Sequence, residues 1–490
     1  MRRTIELVLA LLAGLITWGA VQAADLSLSA SAVSLSAGAK ATVKVTNVQG
    51  TVRATTSASS IATVTYASGT LTITGVAAGK ATITVRDSEH SASLAVTVTG
   101  GTSPPPTTGS TLPWRVVGGV KVGHLIAGPV DHEFAPGLRA QVWGYNGGTP
   151  GPTIEAIEGD RLRLYVTNLL PEPTTVHWHG LILPNGMDGV SGLNQRPIAS
   201  GETFMYEFDL RYPGTYMYHP HYDEMTQIAL GMVGMLIVHP KRPPGPRVDR
   251  DFVLMTHEWK LNVGAKRPDP NEMSDFNVLT FNSKSFPATQ PLLVGRGERV
   301  RIRLGNLGPM DHHPIHLHGL NFKVTATDGG FVPESAQVPD TTVLMPVGST
   351  RVIEFVPDEP GDWGMHCHMT HHVMTQMGHG LPPMVGVDSK KLDHRMRRVA
   401  PEYMTMGTRG MGGMGEMEMQ IPGNSLPMRG GPGPFSYIDM GGMFTVLKVR
   451  DDPSAAPNAW YHHPHGTVAG PADAARMTAD GVDPAALARR

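Results

Sequence analysis

The strongest constraint on the fold is an internal repeat between residues 114 and 387. Residues 159–164 recur at 297–302, residues 177–181 at 316–320, and residues 213–221 at 360–368. The chain contains 57 glycines and 41 prolines, and both repeat units consist of short apolar runs separated by these residues. Short strands divided by turns are typical of β-sandwiches. The repeat therefore predicts an all-β protein with two duplicated sandwiches, at residues 114–245 and 246–390.

The segments outside the repeat have other compositions. Residues 24–100 alternate Thr with Val, Ile and Ala, which predicts a small β-sandwich. Residues 101–113 are rich in Pro, Gly, Thr and Ser and predict a semi-rigid linker. Residues 391–490 predict a Met-rich, low-complexity tail, within which residues 442–449 could form a last strand.

The first residues predict export. Arg2 and Arg3 precede an apolar run and a small-residue cleavage site, the pattern of a signal peptide at residues 1–23. This run is too short to span a bilayer, and no other apolar run is long enough. The location is expected to be periplasmic or extracellular, and the choice between Sec and twin-arginine export stays open.

Charge and cysteine content exclude several classes of protein. Lys and Arg (40) nearly balance Asp and Glu (42), so no basic excess exists to neutralise nucleic-acid phosphates. The single cysteine, Cys367, cannot form an internal disulfide. Together with 22 His and 27 Met, it makes a ligand set suited to copper.

Four histidine motifs carry the candidate chemistry. They are His177-x-His179, His219-x-His221, His313-x-x-His316-x-His318 and His366-Cys367-His368-x3-His372-x4-Met377. Copper prefers imidazole and thiolate with a weak axial thioether, which the last motif offers. Side chains alternate along a strand, so Cys367 is expected on one face and both flanking histidines on the other. The spacing predicts two metal sites joined through adjacent residues, between which an electron can pass.

These motifs resemble those of the multicopper oxidases over about residues 114–387. The resemblance implies two cupredoxin-like Greek-key sandwiches and four coppers per subunit: one type 1, one type 2 and two type 3. It assigns type 1 copper to His313, Cys367 and His372 with axial Met377, type 2 copper to His177 and His316, and the type 3 pair to His179, His219, His221, His318, His366 and His368. Residues 24–100 resemble the bacterial Ig-like group 2 domain, which brings no chemistry.

The repeat alignment predicts that only the second domain holds type 1 copper. Opposite the type 1 ligands of the second unit, the first unit has Thr174, Pro220 and Met225. The 186 residues between His179 and Met365 are too few for a third cupredoxin domain. The chain thus resembles the two-domain, small laccase-like class, which implies a homotrimer with the trinuclear cluster shared between neighbouring subunits.

The resemblance implies one-electron oxidation of a small donor coupled to the four-electron reduction of O2 to water. Cys367, His366 and His368 would carry the electron. Asp188 matches an acidic position of the family and would relay protons, with Asp223 and Glu224 as weaker candidates.

The donor is expected to be Cu(I) or a phenol, because an axial Met suggests a low-to-moderate potential and the Met residues of 404–419 are soft Cu(I) ligands. The alternatives are a Mn(II) oxidase and a non-enzymatic copper-binding or adhesive protein. A copper nitrite reductase is disfavoured, since it needs cysteine where the first unit has Pro220.

Overall fold

The computed structural model describes residues 25–36, 40–59, 61–76, 79–99, 108–375, 388–401, 423–426, 430–454 and 458–483. The predicted signal peptide, Met377 and the Met-rich segment 404–419 lie outside these residues. The all-β class is confirmed, since strands dominate every described domain.

The N-terminal unit is a sandwich of two four-stranded sheets. Its strands are β1 Ser27–Leu28, β2 Ala32–Ser36, β3 Lys40–Thr46, β4 Arg53–Thr56, β5 Ala62–Ala67, β6 Thr70–Gly75, β7 Gly79–Arg86 and β8 Ser91–Thr99. The sheet orders are β1-β3-β6-β5 and β2-β8-β7-β4. Thr and apolar residues alternate along β6, and the buried positions, Leu71 and Ile73 among them, form the core with Ile83 of β7.

The first half of the repeat forms the second sandwich, called domain 1 here. Its strands are β9 Arg115–Val117, β10 Val120–Ala135, β11 Leu138–Tyr145, β12 Ile154–Ile157, β13 Arg161–Asn168, β14 Thr203–Asp209, β15 Gly214–Tyr218 and β16 Gly234–His239. One sheet has the order β11-β10-β13-β14 with β9 on β10, and the other β12-β16-β15. The helix α1, Glu224–Ala229, follows β15.

Residues 108–113, the segment before β9, are packed against the repeat domains. Thr108 and Leu112 are buried, and the Thr108 hydroxyl donates to the Val253 carbonyl. The described part of the predicted linker, residues 108–113, thus packs on the repeat domains.

The second half of the repeat forms the third sandwich, domain 2. Its strands are β17 Arg250–Trp259, β18 Val278–Phe281, β19 Leu292–Gly295, β20 Val300–Asn306, β21 His313–Leu317, β22 Phe322–Thr327, β23 Gly330–Phe331, β24 Pro339–Asp340, β25 Thr342–Met345, β26 Ser349–Phe355, β27 Gly361–Cys367 and β28 Phe444–Arg450. The sheets run β18-β17-β20-β26-β22-β23, with β24 on β22, and β19-β28-β27-β21-β25.

Strand β28 comes from the region assigned by sequence to the tail. It pairs with β27 on one side and β19 on the other, so it is an interior strand of the sheet that carries Cys367. Domain 2 therefore takes part of its core, including Leu447 and Val449, from beyond residue 390.

Domains 1 and 2 are joined by a buried polar contact as well as by apolar packing. The Asp251 carboxylate accepts from Arg303 Nε (2.9 Å) and Nη2 (2.8 Å). Arg303 Nη1 donates to the hydroxyl of Thr215 in β15 (2.7 Å), and the Thr350 hydroxyl donates to the Thr215 carbonyl. Domain 2 thus holds the strand of domain 1 that leads to His219.

Two short helices lie on either side of β28 in the sequence: α2, Lys390–Met396, precedes it, and α3, Ala474–Ala479, follows it. No helix in the described part of the chain has the length and apolar character needed to cross a bilayer.

Candidate copper centres

A buried thiol and two imidazoles meet at one end of domain 2. Cys367 Sγ lies 3.4 Å from His372 Nδ1 and 3.7 Å from His313 Nδ1, and the two nitrogens are 3.2 Å apart. All three residues are buried. The positions follow from the sheet: β21 begins at His313, β27 ends at Cys367, and the 3-10 turn Thr370–Val373 returns His372 to the thiol. Met377 lies outside the described residues.

The buried thiol keeps its proton unless a cation replaces it. Burial raises the pKa of Cys367 to about 12. A metal ion would instead hold the sulfur as thiolate, because coordination deprotonates a thiol. A buried thiolate with two nitrogen ligands is the donor set that copper prefers.

The structure adds a carboxylate that the sequence analysis missed. Glu258 is fully buried, and its Oε2 lies 3.1 Å from His313 Nε2. Burial raises the pKa of Glu258. The hydrogen bond from His313 and the nearby imidazoles lower it by a larger amount, so the net pKa is below its usual value. The one available signal in the sequence was a His-Glu pair inside the apolar strand β17.

The other type 1 candidate imidazole also faces an acid. Asp311 Oδ2 lies 3.5 Å from His372 Nε2, and the Asp311 side chain is partly exposed. His313 has no exposed surface, whereas His372 retains 6 %. The two imidazoles therefore differ in their access to solvent.

The first histidine cluster lies in domain 1 and consists of His177, His179, His219 and His221. Five contacts between its rings have centroid distances of 5.3 to 6.2 Å. The backbones of His177 and His219 bond each other as in a two-residue sheet, which brings the two sequence motifs together.

The second histidine cluster lies in domain 2 and consists of His316, His318, His366 and His368. Its five ring contacts have centroid distances of 4.8 to 5.7 Å. His316 pairs with His366 across β21 and β27, so the two clusters are built by the same pairing of repeated motifs. His366 and His368 lie in this cluster while Cys367 between them points into the domain core.

Backbone carbonyls orient two rings in each cluster through Nδ1. The pairs are His177 with Asp188 O (2.7 Å), His219 with Pro220 O (2.8 Å), His316 with Thr341 O (2.8 Å) and His366 with Cys367 O (2.9 Å). A carbonyl oxygen only accepts, so Nδ1 carries the hydrogen and Nε2 presents its lone pair. Metal-binding histidines typically donate such a hydrogen bond from the ring nitrogen that does not bind the metal.

Burial keeps several of these rings neutral, as metal binding requires. It lowers the pKa of His219 to about 3. It also lowers the pKa of His179, His318 and His366, with a further contribution from neighbouring imidazoles.

Carboxylates flank the first cluster. Asp188 Oδ1 lies 3.5 Å from His177 Nδ1, and Glu224 lies 3.5 Å from His219 Nδ1 and 3.6 Å from His221 Nε2. Of the two weaker candidates for a relay, Glu224 is thus near the ligands. Asp223 is exposed at the start of α1.

The two histidine clusters do not meet within the chain. In the part of the chain that the structure describes, no ring contact joins them, and they line different cavities. The first cluster opens into a cavity of about 500 Å³ whose other wall is formed by residues 307–310 and 347–348 of domain 2. All four imidazoles of the first cluster line its cavity, and His316 and His318 of the second cluster line theirs.

The histidines at 462, 463 and 465 lie apart from these centres. All three are exposed, and the ring of His463 contacts the rings of Phe435 and Tyr461. They contribute to neither cluster.

The fold and these donor sets define a cupredoxin-type copper protein. The family profile for multicopper oxidase matches residues 128–243 and again 262–384, and the profile for the bacterial Ig-like domain (group 2) matches residues 24–98. The chain belongs to the multicopper oxidase family and carries an N-terminal Ig-like domain. Both expectations from the motifs are confirmed.

Known proteins agree with this assignment. The chain is 30 % identical to copper resistance protein A of Pseudomonas syringae pv. tomato in a 244-residue alignment that covers 40 % of each protein. It therefore spans about two fifths of the length of this curated relative.

Two solved structures match a larger share of the chain. The blue copper oxidase of Nitrosomonas europaea is 27 % identical with a TM-score of 0.50, over 66 % of this chain and 85 % of that one. The multicopper oxidase mgLAC is 28 % identical with a TM-score of 0.51, over 69 % and 89 %.

Proposed function

We propose that the protein is an exported multicopper oxidase that oxidises Cu(I) or phenols by single electrons and reduces O2 to water. The observation that carries the proposal is the position of Cys367. Its sulfur belongs to the buried His313–His372 set, and its sequence neighbours His366 and His368 belong to the second histidine cluster. Copper bound at these sites would supply one-electron redox chemistry and the reduction of O2.

The residues present fit four coppers. His313, Cys367 and His372, with Met377 as the predicted axial ligand, would hold type 1 copper. The eight imidazoles of the two clusters would hold the other three: His177 and His316 the type 2 copper, and His179, His219, His221, His318, His366 and His368 the type 3 pair. Cys367 would pass each electron along the backbone to His366 and His368.

We propose further that three subunits assemble so that the first cluster of one faces the second cluster of the next. Each cluster offers four imidazoles at a cavity, half of what a trinuclear centre uses. The described residues form two cupredoxin-like domains, and the match to most of two solved chains supports the two-domain class.

Side chains around the centres would deliver electrons and protons. Electrons would enter at His372, whose ring lies beside partly exposed Asp311, because His313 is closed to solvent. The Asp188 carboxylate, 3.5 Å from His177, would supply protons for the reduction of O2.

The similarity to copper resistance protein A supports Cu(I) as a donor. O2 uptake by one copper-loaded preparation should be compared with Cu(I), a phenol and Mn(II). Uptake with Cu(I) or the phenol well above that with Mn(II) is expected. Preference for Mn(II) would replace the proposed donor, and copper binding without any uptake would replace the enzyme by a copper-binding protein.

Shared trinuclear sites can be tested by complementation. His179→Ala and His318→Ala each damage one cluster, and each variant alone should lack O2 uptake. Co-expressed, they form mixed trimers in which some neighbouring pairs contain both intact clusters, so uptake should return in part. Co-expression of His177→Ala with His179→Ala is the matched control, because both damage the same cluster. Recovery in neither mixture would place the whole trinuclear site within one chain.

A further inference from the structure

Glu258 is an acid buried without exposed surface beside the type 1 candidate ligands. It lies next to the end of β17, and its two oxygens have different partners. Oε1 accepts from the backbone N–H groups of Met310 and Asp311, both at 2.7 Å. Oε2 lies 3.1 Å from His313 Nε2. Oε1 therefore binds the backbone of the loop, and Oε2 binds the imidazole of His313.

The loop after β20 is shaped to admit this carboxylate. A Cβ at Gly308 would lie 1.8 Å from Glu258 Oε2, so any side chain there would displace the acid. The Gly308 backbone is held by the Asn306 side chain, which also donates to the carbonyls of Asp311 and Met345. The loop wraps the carboxylate and then leads directly into His313.

Domain 1 contains a similar loop, shorter by one residue, without the acid. Asn168 ends β13 and makes three hydrogen bonds like those of Asn306: it accepts from Leu170 N–H and donates to the carbonyls of Glu172 and Ile198. Leu170 therefore stands where domain 2 has Gly308, and its side chain is buried in the core of domain 1.

The strand next to this loop is also equivalent in the two domains. Asn168 pairs with Ala127 of β10, and Asn306 pairs with Thr256 of β17. Two residues farther along, domain 1 has exposed Pro129 where domain 2 has Glu258. The fold of the loop thus forms without the acid, and the acid and its glycine occur in the domain that has the type 1 ligands.

We propose that Glu258 is a positioning residue of the type 1 copper site. Its carboxylate accepts a hydrogen bond from the Nε2–H group of His313 and so leaves the Nδ1 lone pair of that ring directed toward Cys367. The inference rests on the proposed function. An ionised carboxylate only accepts, so His313 must carry its hydrogen on Nε2. Nδ1, 3.7 Å from Cys367 Sγ, is then left to bind copper. The same contact closes the Nε2 edge of His313 to any donor molecule.

Glu258→Gln separates this role from a purely structural one. The amide oxygen can still accept from Met310 and Asp311, so the loop keeps its two hydrogen bonds. The amide NH2 then faces His313 Nε2, and the favoured ring is the one with its hydrogen on Nδ1, the atom needed by copper. We expect type 1 copper binding to weaken about 10–100-fold, the usual loss when an outer partner of a ligand is removed.

Affinity is measured on the full chain by competition with a Cu(I) chelator, with occupancy read from the blue absorption after oxidation. Thermal unfolding of the copper-free chain is measured in parallel. Glu298→Gln, in domain 2 but paired with Arg250, is the matched control and should bind type 1 copper as the native chain does.

The expected result is weaker type 1 binding by Glu258→Gln with unfolding of the copper-free chain unchanged. Native affinity in this variant overturns the proposal, as does a loss of affinity that only follows a lower unfolding temperature. If Glu258→Gln does not fold, Gly308→Ala provides the test, because its methyl group displaces the Glu258 carboxylate while the charge is kept. Native type 1 copper affinity in Gly308→Ala would also overturn the proposal. A native chain without blue absorption would instead refute the proposed function.

Discussion

The buried ion pair of domain 2 that contacts domain 1 through Thr215 allows a quantitative prediction. Asp251 is fully buried, and the Arg303 side chain is 7 % exposed. Among the described residues, Asp251 is the one carboxylate within ion-pair distance of Arg303. Asp251→Asn keeps the shape of the side chain but removes the charge, so the guanidinium stays buried without a counter-ion.

Breaking one partner of a buried pair costs about 3–5 kcal/mol of unfolding free energy, because the remaining charge is desolvated and unpaired. Arg301 is spared, since Glu354 lies 2.7 Å from its Nη2. Removing both charges in Asp251→Leu/Arg303→Met should cost clearly less than Asp251→Asn alone, since no unpaired charge remains.

Denaturant unfolding followed by tryptophan fluorescence measures this effect, because the described residues of the Ig-like unit contain no tryptophan. Asp209→Asn is the control: its ion pair with Arg161 is the same type of contact, but its side chain is 59 % exposed, so unfolding should stay nearly unchanged. The reasoning is refuted if Asp251→Asn unfolds like the native chain, or if the double variant is as unstable as the single one.

Three further outcomes are expected. Burial lowers the pKa of His132 to about 4; the unfolded chain therefore binds a proton near pH 6.5 that the folded chain binds only near pH 4, and folding stability should fall by about 3 kcal/mol as the pH drops through that window. His132→Gln should remove this part of the acid sensitivity, measured for each chain as the change in unfolding free energy between pH 7 and pH 4. The same change in the native chain and in the variant would contradict the prediction. Cys367→Ser should abolish the blue absorption and O2 uptake with every donor; uptake that survives with any donor would place electron transfer elsewhere. Deletion of residues 404–419 should reduce Cu(I) oxidation more than phenol oxidation if these methionines deliver Cu(I), whereas equal reductions, or none, count against delivery.

The repeat and its motifs could be recognised in the sequence because their chemistry is local. Alternation along one strand separates Cys367 from His366 and His368, and this needs no knowledge of the rest of the chain. Spacing of two residues likewise brings His177 beside His179 and His316 beside His318. The all-β class and the family followed from such patterns, and both are confirmed.

Other features depend on segments that are distant in sequence. The sequence predicted a possible strand at 442–449 but left it in the tail, because the place of β28 in domain 2 arises from pairing with β27 and β19, which no local pattern reveals. Residues 108–113 looked like a linker, yet Leu112 is buried in the core of domain 1.

The sequence alone thus determined which residues are available as ligands, because ligand type and short spacing are properties of adjacent residues. Only the tertiary structure decided what surrounds them. Glu258 precedes His313 by 55 residues, and the sheet register of β17 and β20 brings its carboxylate to the imidazole. The separation of the two histidine clusters is decided in the same way, since it depends on how two folded domains pack rather than on any motif.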